Sequence, residues 1–275
     1  MRKSIALFLT LFVIGLTTVG CAPADAQQTR TLHDDQWCDH DNWEHDNNGE
    51  RYCEVREITL AAGRDLIAVD GRRNGGIKIE GWNRKEILVR AKVTTHARTE
   101  AAAERLAEEV EINTDGTIYA DVPETRRKEW ISVSYRLMVP RRSNLSLETF
   151  NGGISIENVE GEMDFEAHNG GVKLIDLAGD VHGGTTNGGV TVELTGSAWQ
   201  GDGLDVETTN GGVKIYVPDD YSAHLETRTV NGRIEVDFPV MVQGRIDRRI
   251  STKLGDGGKT IRVVTTNGGV KVRRG

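Results

Sequence analysis

The sequence of 275 residues predicts an all-β protein: a β-solenoid (β-helix-like) of stacked repeats that turn at Asn-Gly-Gly corners, with one short helix near 100–111. Three observations support this fold class. Gly accounts for 32 residues and aromatic side chains for only 5% of the chain, which indicates many turns around an aliphatic core. Runs with alternating apolar and β-branched residues, typical of strands, fill most of the chain after residue 54. The tripeptide Asn-Gly-Gly recurs along the same region.

The N-terminus has the anatomy of an export signal, predicted over residues 1–26. Arg2 and Lys3 precede an apolar run that is too short and too early for a membrane span. Two cleavage sites compete: a lipoprotein-type site before Cys21, which would then carry the lipid, and an Ala-x-Ala site that ends at Ala26. Both predict export to the periplasm, the outer membrane or the cell surface, with a lipid anchor as the only membrane attachment.

Residues 27–53 form a polar, acidic segment without an apolar period, which predicts a loop or linker. Cys38 and Cys53 remain as a pair after either cleavage. An oxidising compartment favours a disulfide between them over two free thiols. Closing a loop of this size stabilises a fold by about 3 kcal/mol.

The same segment contains the candidate metal ligands. His40, His45 and Asp46 alternate with other acidic side chains, as ligands of a divalent cation can. Position twelve of a calcium loop that begins at Glu44 is Val55, where a bidentate Glu belongs, and no zinc-ligand spacing is complete. A solvated acidic loop is therefore the favoured interpretation, and no metal site is assigned.

The β-repeat domain is expected over residues 54–275. One helix is predicted within its first part. The apolar residues of this helix follow a 3.6-residue period that places them on one face: Ala103, Leu106, Ala107 and Val110. Thr99 is a suitable N-cap for this helix. Strand-like runs then resume and end at Pro140.

The repeat becomes clear when the sequence is aligned on the corner asparagines. After Pro140, the positions three and five residues after each Asn, and six residues before it, are apolar in every repeat, which predicts inward-facing columns. The near-constant spacing favours a solenoid, with each coil stacked on the last, over antiparallel hairpins with type I′ turns. The corner asparagines are Asn74, Asn151, Asn169, Asn187, Asn210, Asn231 and Asn267.

The composition of the corners leads to two further expectations. The corner is expected to need positive φ, which Gly accepts without a clash and Asn tolerates better than other residues. The Asn side chains are expected either to bond the backbone or to stack as a ladder between coils. The alternating charges of residues 270–274 are expected to protect an exposed strand edge at one end of the stack.

The order of these pieces resembles a known family, the bacterial putative-adhesin domains of unknown function, also called toast-rack β-repeat domains. The residues that carry the resemblance are NGGIKIEGWNRKEILVRA (74–91), the helix near Ala101, SYRLMVPRRSNLSLETFNGGISIE (134–157) and the later Asn-Gly-Gly units. The resemblance extends from about Glu57 to the C-terminus. It implies a solenoid-like fold, an envelope location and no assigned catalytic residues.

Charge and motifs narrow the function further. A formal charge of -8 argues against nucleic-acid binding. Gly257-Gly258-Lys259-Thr260 lacks the first glycine of a phosphate-binding loop. Three glutamates share one outward column that other residue types interrupt, which favours a solvated stripe over a catalytic pair. These glutamates are Glu148, Glu166 and Glu207, and the interruptions are Gly184, Arg228 and Val264.

We therefore expect a non-enzymatic envelope protein, without cofactor, that presents a solenoid surface to an envelope protein or a glycan. Two alternatives remain open. One is a polysaccharide-active β-helix enzyme. The other is metal or envelope-stress sensing through the His- and Asp-rich segment.

Overall fold

A computed structural model describes residues 28–33, 36–39, 49–61, 63–238 and 248–275. Two large sheets, of eleven and eight strands, enclose an aliphatic core, and a two-stranded sheet accompanies them. Within the described ranges, no helix is both long and apolar enough to cross a membrane.

The elements alternate between short and long strands, with two helices near the N-terminal end. In chain order they are β1 (Gln28–Leu32), α1 (Gln36–Asp39), β2 (Glu50–Leu60), β3 (Ile67–Asp70), β4 (Ile77–Trp82), β5 (Ile87–Ala97), α2 (Glu100–Glu108), β6 (Glu111–Asn113), β7 (Tyr119–Asp121), β8 (Trp130–Pro140), β9 (Leu145–Asn151), β10 (Ile154–Glu157), β11 (Glu160–Asn169), β12 (Val172–Ile175), β13 (Ala178–Asn187), β14 (Val190–Glu193), β15 (Gly203–Asn210), β16 (Val213–Val217), β17 (Ala223–Asn231), β18 (Ile234–Val236), β19 (Arg249–Leu254), β20 (Thr260–Asn267) and β21 (Val270–Arg274).

The solenoid consists of coils that each join one strand of the eight-stranded sheet, through an Asn corner, to one strand of the eleven-stranded sheet. The described residues form seven such coils: β3–β4, β9–β10, β11–β12, β13–β14, β15–β16, β17–β18 and β20–β21. Neighbouring coils pair in parallel and in register, with Met163 opposite Leu145 and Ile154 opposite Val172. This pairing confirms the predicted solenoid and excludes the hairpin alternative, in which the strands would be antiparallel.

The core lies where the aligned apolar columns predict it. The column six residues before each corner Asn is buried in every repeat after Pro140, from Leu145 to Ile261. The two columns after the corner are also buried, except that Ile234 and Val236 are half-buried. These two residues belong to β18, which is the last strand of its sheet and has a neighbour on one side only.

The coils do not stack in the order of the sequence. β20 lies between β15 and β17, and β21 lies between β16 and β18. The coil β20–β21, which is last in the sequence, therefore lies between the coils β15–β16 and β17–β18 in space. β19 pairs antiparallel with the outer side of β17, so the following strand has only the inner side of β17 to pair with.

This insertion corrects two expectations. The rule that each coil stacks on the last is wrong for the coils of Asn231 and Asn267. Residues 270–274 do not protect a sheet edge, because β21 is an interior strand and β18 is the terminal one.

The N-terminal region extends the eleven-stranded sheet beyond the solenoid. β8 pairs in parallel with β4, and β5, β2 and β1 follow it in antiparallel pairs. Residues 27–53, which the composition suggests as a loop, thus include β1, α1 and the start of β2. The expected disulfide joins Cys38 to Cys53, with the two Cα atoms 5.9 Å apart, and attaches α1 to β2.

The predicted helix is α2, and it packs on β5 and β2. The Thr99 side chain accepts a hydrogen bond from the backbone N–H of Ala102, at 3.3 Å, so Thr99 is the N-cap. Ala103 and Ala107 are buried, and Val110 is buried just beyond the helix. The 3.6-residue period of the sequence therefore marks the face that contacts the sheet.

Candidate functional site

The corner asparagines form a hydrogen-bonded ladder along one side of the solenoid. In each rung the Nδ2 group of one Asn donates to Oδ1 of the Asn in an adjacent coil, for example Asn169 to Asn151 at 2.9 Å and Asn231 to Asn267 at 2.7 Å. In spatial order the ladder is Asn74, Asn151, Asn169, Asn187, Asn210, Asn267 and Asn231. These side chains bond each other, which makes them stacking elements of the fold.

The first glycine of each corner is required by the approach of neighbouring backbones. A Cβ atom on Gly211 would lie 1.9 Å from the carbonyl oxygen of Gly188, and one on Gly170 would lie 2.0 Å from that of Gly152. No described corner glycine has positive φ, and no corner Asn has it either. The expected left-handed corner is therefore wrong, and the reason for glycine at this position is steric.

The second corner glycine has more space. A Cβ on Gly212 would be 3.5 Å from the nearest backbone atom, the carbonyl oxygen of Gly269. This agrees with Arg233, which occupies the same position in the terminal coil. Left-handed residues occur instead at the opposite corner, where Asn158 has φ 59° and Asp176 has φ 50°.

Threonines two residues before the corner Asn provide a second set of rungs, which the alignment did not single out. The Thr208 hydroxyl donates to the carbonyl oxygen of Gly188 at 2.7 Å, which satisfies a polar group at the crowded corner. The same bond is made by Thr149, Thr185, Thr229 and Thr265. Thr recurs at this position in the sequence, so these hydrogen bonds could have been predicted from the alignment.

The outer face of the eight-stranded sheet carries a depression of about 510 Å³, called the outer groove here. It crosses β11, β13, β15 and β20. Its lining consists of Phe165, Glu166, His182, Gly183, Gly184, Thr185, Thr186, Asp205, Glu207, Thr209 and Arg262.

Two consecutive glycines on β13 create the outer groove. In the pairing register Gly184 lies directly between Glu166 and Glu207, so a position without a side chain separates two long ones. A Cβ on Gly184 would lie 2.3 Å from the carbonyl oxygen of Glu207. Gly183 has φ 151°, and a Cβ there would lie 2.2 Å from the carbonyl oxygen of Phe165. The floor of the groove is therefore fixed by backbone packing.

The charged side chains of the outer groove fall into paired and unpaired groups. Arg262 contacts the carboxylate of Asp205, and His182 Nε2 lies 2.7 Å from Asp180 Oδ1. Glu166 and Glu207 are exposed, and neither makes a hydrogen bond or ion pair with another described residue. The interrupted glutamate column of the sequence is thus divided by a groove, and two of its carboxylates have no partner among the described residues.

A stacked pair of rings borders this groove. The rings of Phe150 and His168 lie parallel, with centroids 4.5 Å apart and an interplanar angle of 13°. Phe150 is 49% exposed. His168 is next to Thr186 across the strands, because Ala167 pairs with Thr185. The sequence alone does not reveal this stacking, because it depends on two coils lying side by side.

The shifted pKa values lie away from the outer groove. Burial, followed by the nearby Glu54 carboxylate, raises the pKa of Tyr52 to about 12. Burial raises the pKa of Tyr221 to about 12, and burial also raises that of Tyr135, whose hydroxyl has no partner among the described residues. These three phenols stay protonated at neutral pH. We assign them a structural role.

The remaining predicted site residues receive no test from the structure. Cys21, His40, His45 and Asp46 lie outside the described residues. Within the described part of the chain, no three His, Cys, Asp or Glu side chains are grouped so that they could hold a metal ion. The metal alternative therefore stays a prediction.

Residues 140–273 match the family model described as Toastrack DUF4097. This part of the chain is similar to Toastrack domains. It contains six of the seven coils, from β9–β10 onwards. The resemblance stated from the sequence began earlier, near Glu57, and the family match covers its solenoid part.

Three solved structures are similar to this chain at low identity. A putative cell adhesion protein from Clostridium sporogenes is 12% identical with a TM-score of 0.45, over 82% of this chain and 100% of that one. A putative adhesin from Bacteroides fragilis is 10% identical with a TM-score of 0.38, over 80% and 96%. A putative adhesin from Parabacteroides merdae is 14% identical with a TM-score of 0.30, over 80% and 95%. Similarity at this level does not extend to function. No curated protein matches the sequence.

Proposed function

We propose that this protein is a non-catalytic component of the bacterial cell envelope that binds a protein or a glycan through the outer faces of its solenoid. The observation that carries the proposal is the rigid stack itself. Seven coils are held in one register by the Asn ladder and the buried columns, so their outward side chains have fixed positions over a long surface. Such a surface is suited to recognition.

The outer groove also suggests a polysaccharide hydrolase, because two carboxylates face each other across it. In hydrolases of this kind the carboxyl group that acts as proton donor typically lies in an apolar pocket. Glu166 and Glu207 are both exposed. Their environment is suited to accepting hydrogen bonds from a ligand, and we place binding before catalysis for this reason.

The export signal predicted over residues 1–26 supports the envelope location. The disulfide between Cys38 and Cys53 is consistent with it, since disulfides persist in oxidising compartments. We propose that the mature protein lies in the periplasm or on the cell surface, either soluble or held by a lipid on Cys21. Mass spectrometry of the mature N-terminus separates these two forms.

Co-sedimentation with isolated bacterial envelope fragments tests the proposed function. We expect saturable binding of the purified mature protein, with no release of soluble sugar or peptide during long incubation. Heat-denatured protein is the control for non-specific association. Non-saturable binding, or release of soluble products that Glu166→Gln abolishes, would contradict the proposal.

A further inference from the structure

We propose that the outer groove binds a neutral oligosaccharide. This inference rests on the proposed function and specifies the ligand class and its site. The shape of the groove, its hydrogen-bonding groups and the rings at its border support this ligand class.

The groove offers both acceptors and donors to a ligand. The free carboxylates of Glu166 and Glu207 can only accept hydrogen bonds, whereas the hydroxyls of Thr186 and Thr209 and the guanidinium of Arg262 can donate. A ligand that pairs with the carboxylates and also accepts from these donors must both donate and accept at short intervals. Hydroxyl groups on a sugar ring do both, whereas an ammonium or guanidinium group only donates.

The charges of the groove disfavour an anionic ligand. Arg262 is already in contact with Asp205, so Glu166 and Glu207 leave the groove negative and unfavourable for anionic polysaccharides. Hydrogen bonds from ligand hydroxyls to these two carboxylates are charge-assisted and stronger than those between neutral groups.

The stacked rings supply an apolar contact beside the polar groups. In the strand order His168 lies between Phe150 and Thr186, so the ring next to the groove is the imidazole of His168, which stacks on Phe150 behind it. A flat ring beside hydrogen-bonding groups matches a sugar, whose C–H faces are apolar and whose edges are polar. His168 adjoins Thr186, which lines the groove, so stacking and hydrogen bonding are available to one ligand.

The dimensions indicate an oligomer. The groove extends across β11, β13, β15 and β20, which are consecutive in the sheet. Three strand spacings correspond to roughly 14 Å, which exceeds a single sugar ring. The floor of backbone at Gly183 and Gly184 cannot close by side-chain motion, so the groove is open before the ligand arrives.

A printed array of neutral and charged glycans, followed by calorimetry with the neutral oligosaccharide that binds best, tests the inference. We expect binding that rising salt concentration leaves unchanged, because no ion pair with the ligand is involved. Glu166→Gln combined with Glu207→Gln is expected to weaken binding about tenfold or more, since two charge-assisted hydrogen bonds are lost. His168→Ala is expected to weaken it about tenfold through the lost ring contact.

The matched control is Glu111→Gln, the same change at an exposed position on β6, outside the outer groove. It should bind as the unmodified protein does, and circular dichroism should show that all variants are folded. Failure of every neutral glycan to bind, or equal binding by the double variant, would overturn the inference. Salt-sensitive binding of a lysine-rich peptide in the groove, without any glycan, would also overturn it. If envelope binding persists in these cases, the proposed function stands and only the ligand assignment fails.

Discussion

At the scale of single residues, the corner shows that two adjacent glycines have different roles. A Cβ on the first glycine of each corner would lie 1.9–2.2 Å from a neighbouring backbone oxygen, whereas a Cβ on the second glycine would lie 2.9–3.5 Å from one. Both have ordinary φ values, so the difference between them is one of space and not of backbone conformation. This makes the pair a direct test of why the repeat needs glycine.

We predict that Gly211→Ala destabilises the protein by about 3 kcal/mol, because its Cβ would lie 1.9 Å from the Gly188 oxygen and the coils would have to separate. Gly212→Ala serves as the matched variant and should change the unfolding free energy by less than about 1 kcal/mol. Chemical denaturation of the two variants measures both values. Equal effects would show that backbone conformation and not coil contact selects glycine here.

At the scale of elements, α2 is attached to the sheet by a buried ion pair. Arg56 Nε donates to Glu54 Oε1 at 2.7 Å, and its Nη2 group donates to the carbonyl oxygen of Ala107 at 2.7 Å. Its Nη1 group contacts the carbonyl oxygen of Val110. The guanidinium thus satisfies carbonyl groups at the C-terminal end of the helix and neutralises Glu54, which is 6% exposed.

Arg56→Met is therefore expected to destabilise the protein by about 3 kcal/mol, because Glu54 would remain buried without its guanidinium partner and would keep only the hydrogen bond from the Tyr52 hydroxyl. Arg105→Met, at an exposed position on the same helix, is the control and should stay within about 0.5 kcal/mol. Denaturant midpoints followed by circular dichroism report both. Combining Arg56→Met with Glu54→Gln should recover part of the loss, and an absence of recovery would argue against an uncompensated charge as the cause.

At the scale of the whole molecule, the coil of β20 and β21 connects two parts of the solenoid. It pairs on one side with β15 and β16 and on the other with β17 and β18. A terminal coil of a simple solenoid contributes one interface, whereas this one contributes two. The segment of β17 to β19 has its described strand contacts to the rest of the solenoid through β20 and β21.

A chain that ends at Leu254, and so lacks this coil, should leave residues 223–254 without their place in the stack. We expect limited proteolysis to cleave this segment at least tenfold faster than in the full chain, while the coils from β9 to β14 stay protected. Peptide mapping by mass spectrometry identifies the cleavage sites. Equal protection of residues 223–254 in both chains would show that this segment does not depend on the inserted coil.

Much of the fold was predictable because it is encoded by residues close together in sequence. The period-two columns around Asn151 and Asn169 place the core, and Thr99 with the apolar face of α2 places the helix. The outer groove was not predictable, since Gly184 separates Glu166 from Glu207 only when three coils are side by side. The glutamate column was visible in the sequence, but the depression across it was not.

The sequence by itself determined the repeat, its inward columns and the solenoid class, because strand alternation and regular spacing reveal which side chains face inward. Only the tertiary structure decided the order of the coils, the steric role of Gly211 and the unpaired state of Glu166 and Glu207. Each of these depends on contacts between coils that are distant in sequence, such as Gly211 against Gly188 and β20 between β15 and β17. The local sequence pattern determines the conformation of a single coil. The contacts between two coils depend on how the coils pack in the folded protein.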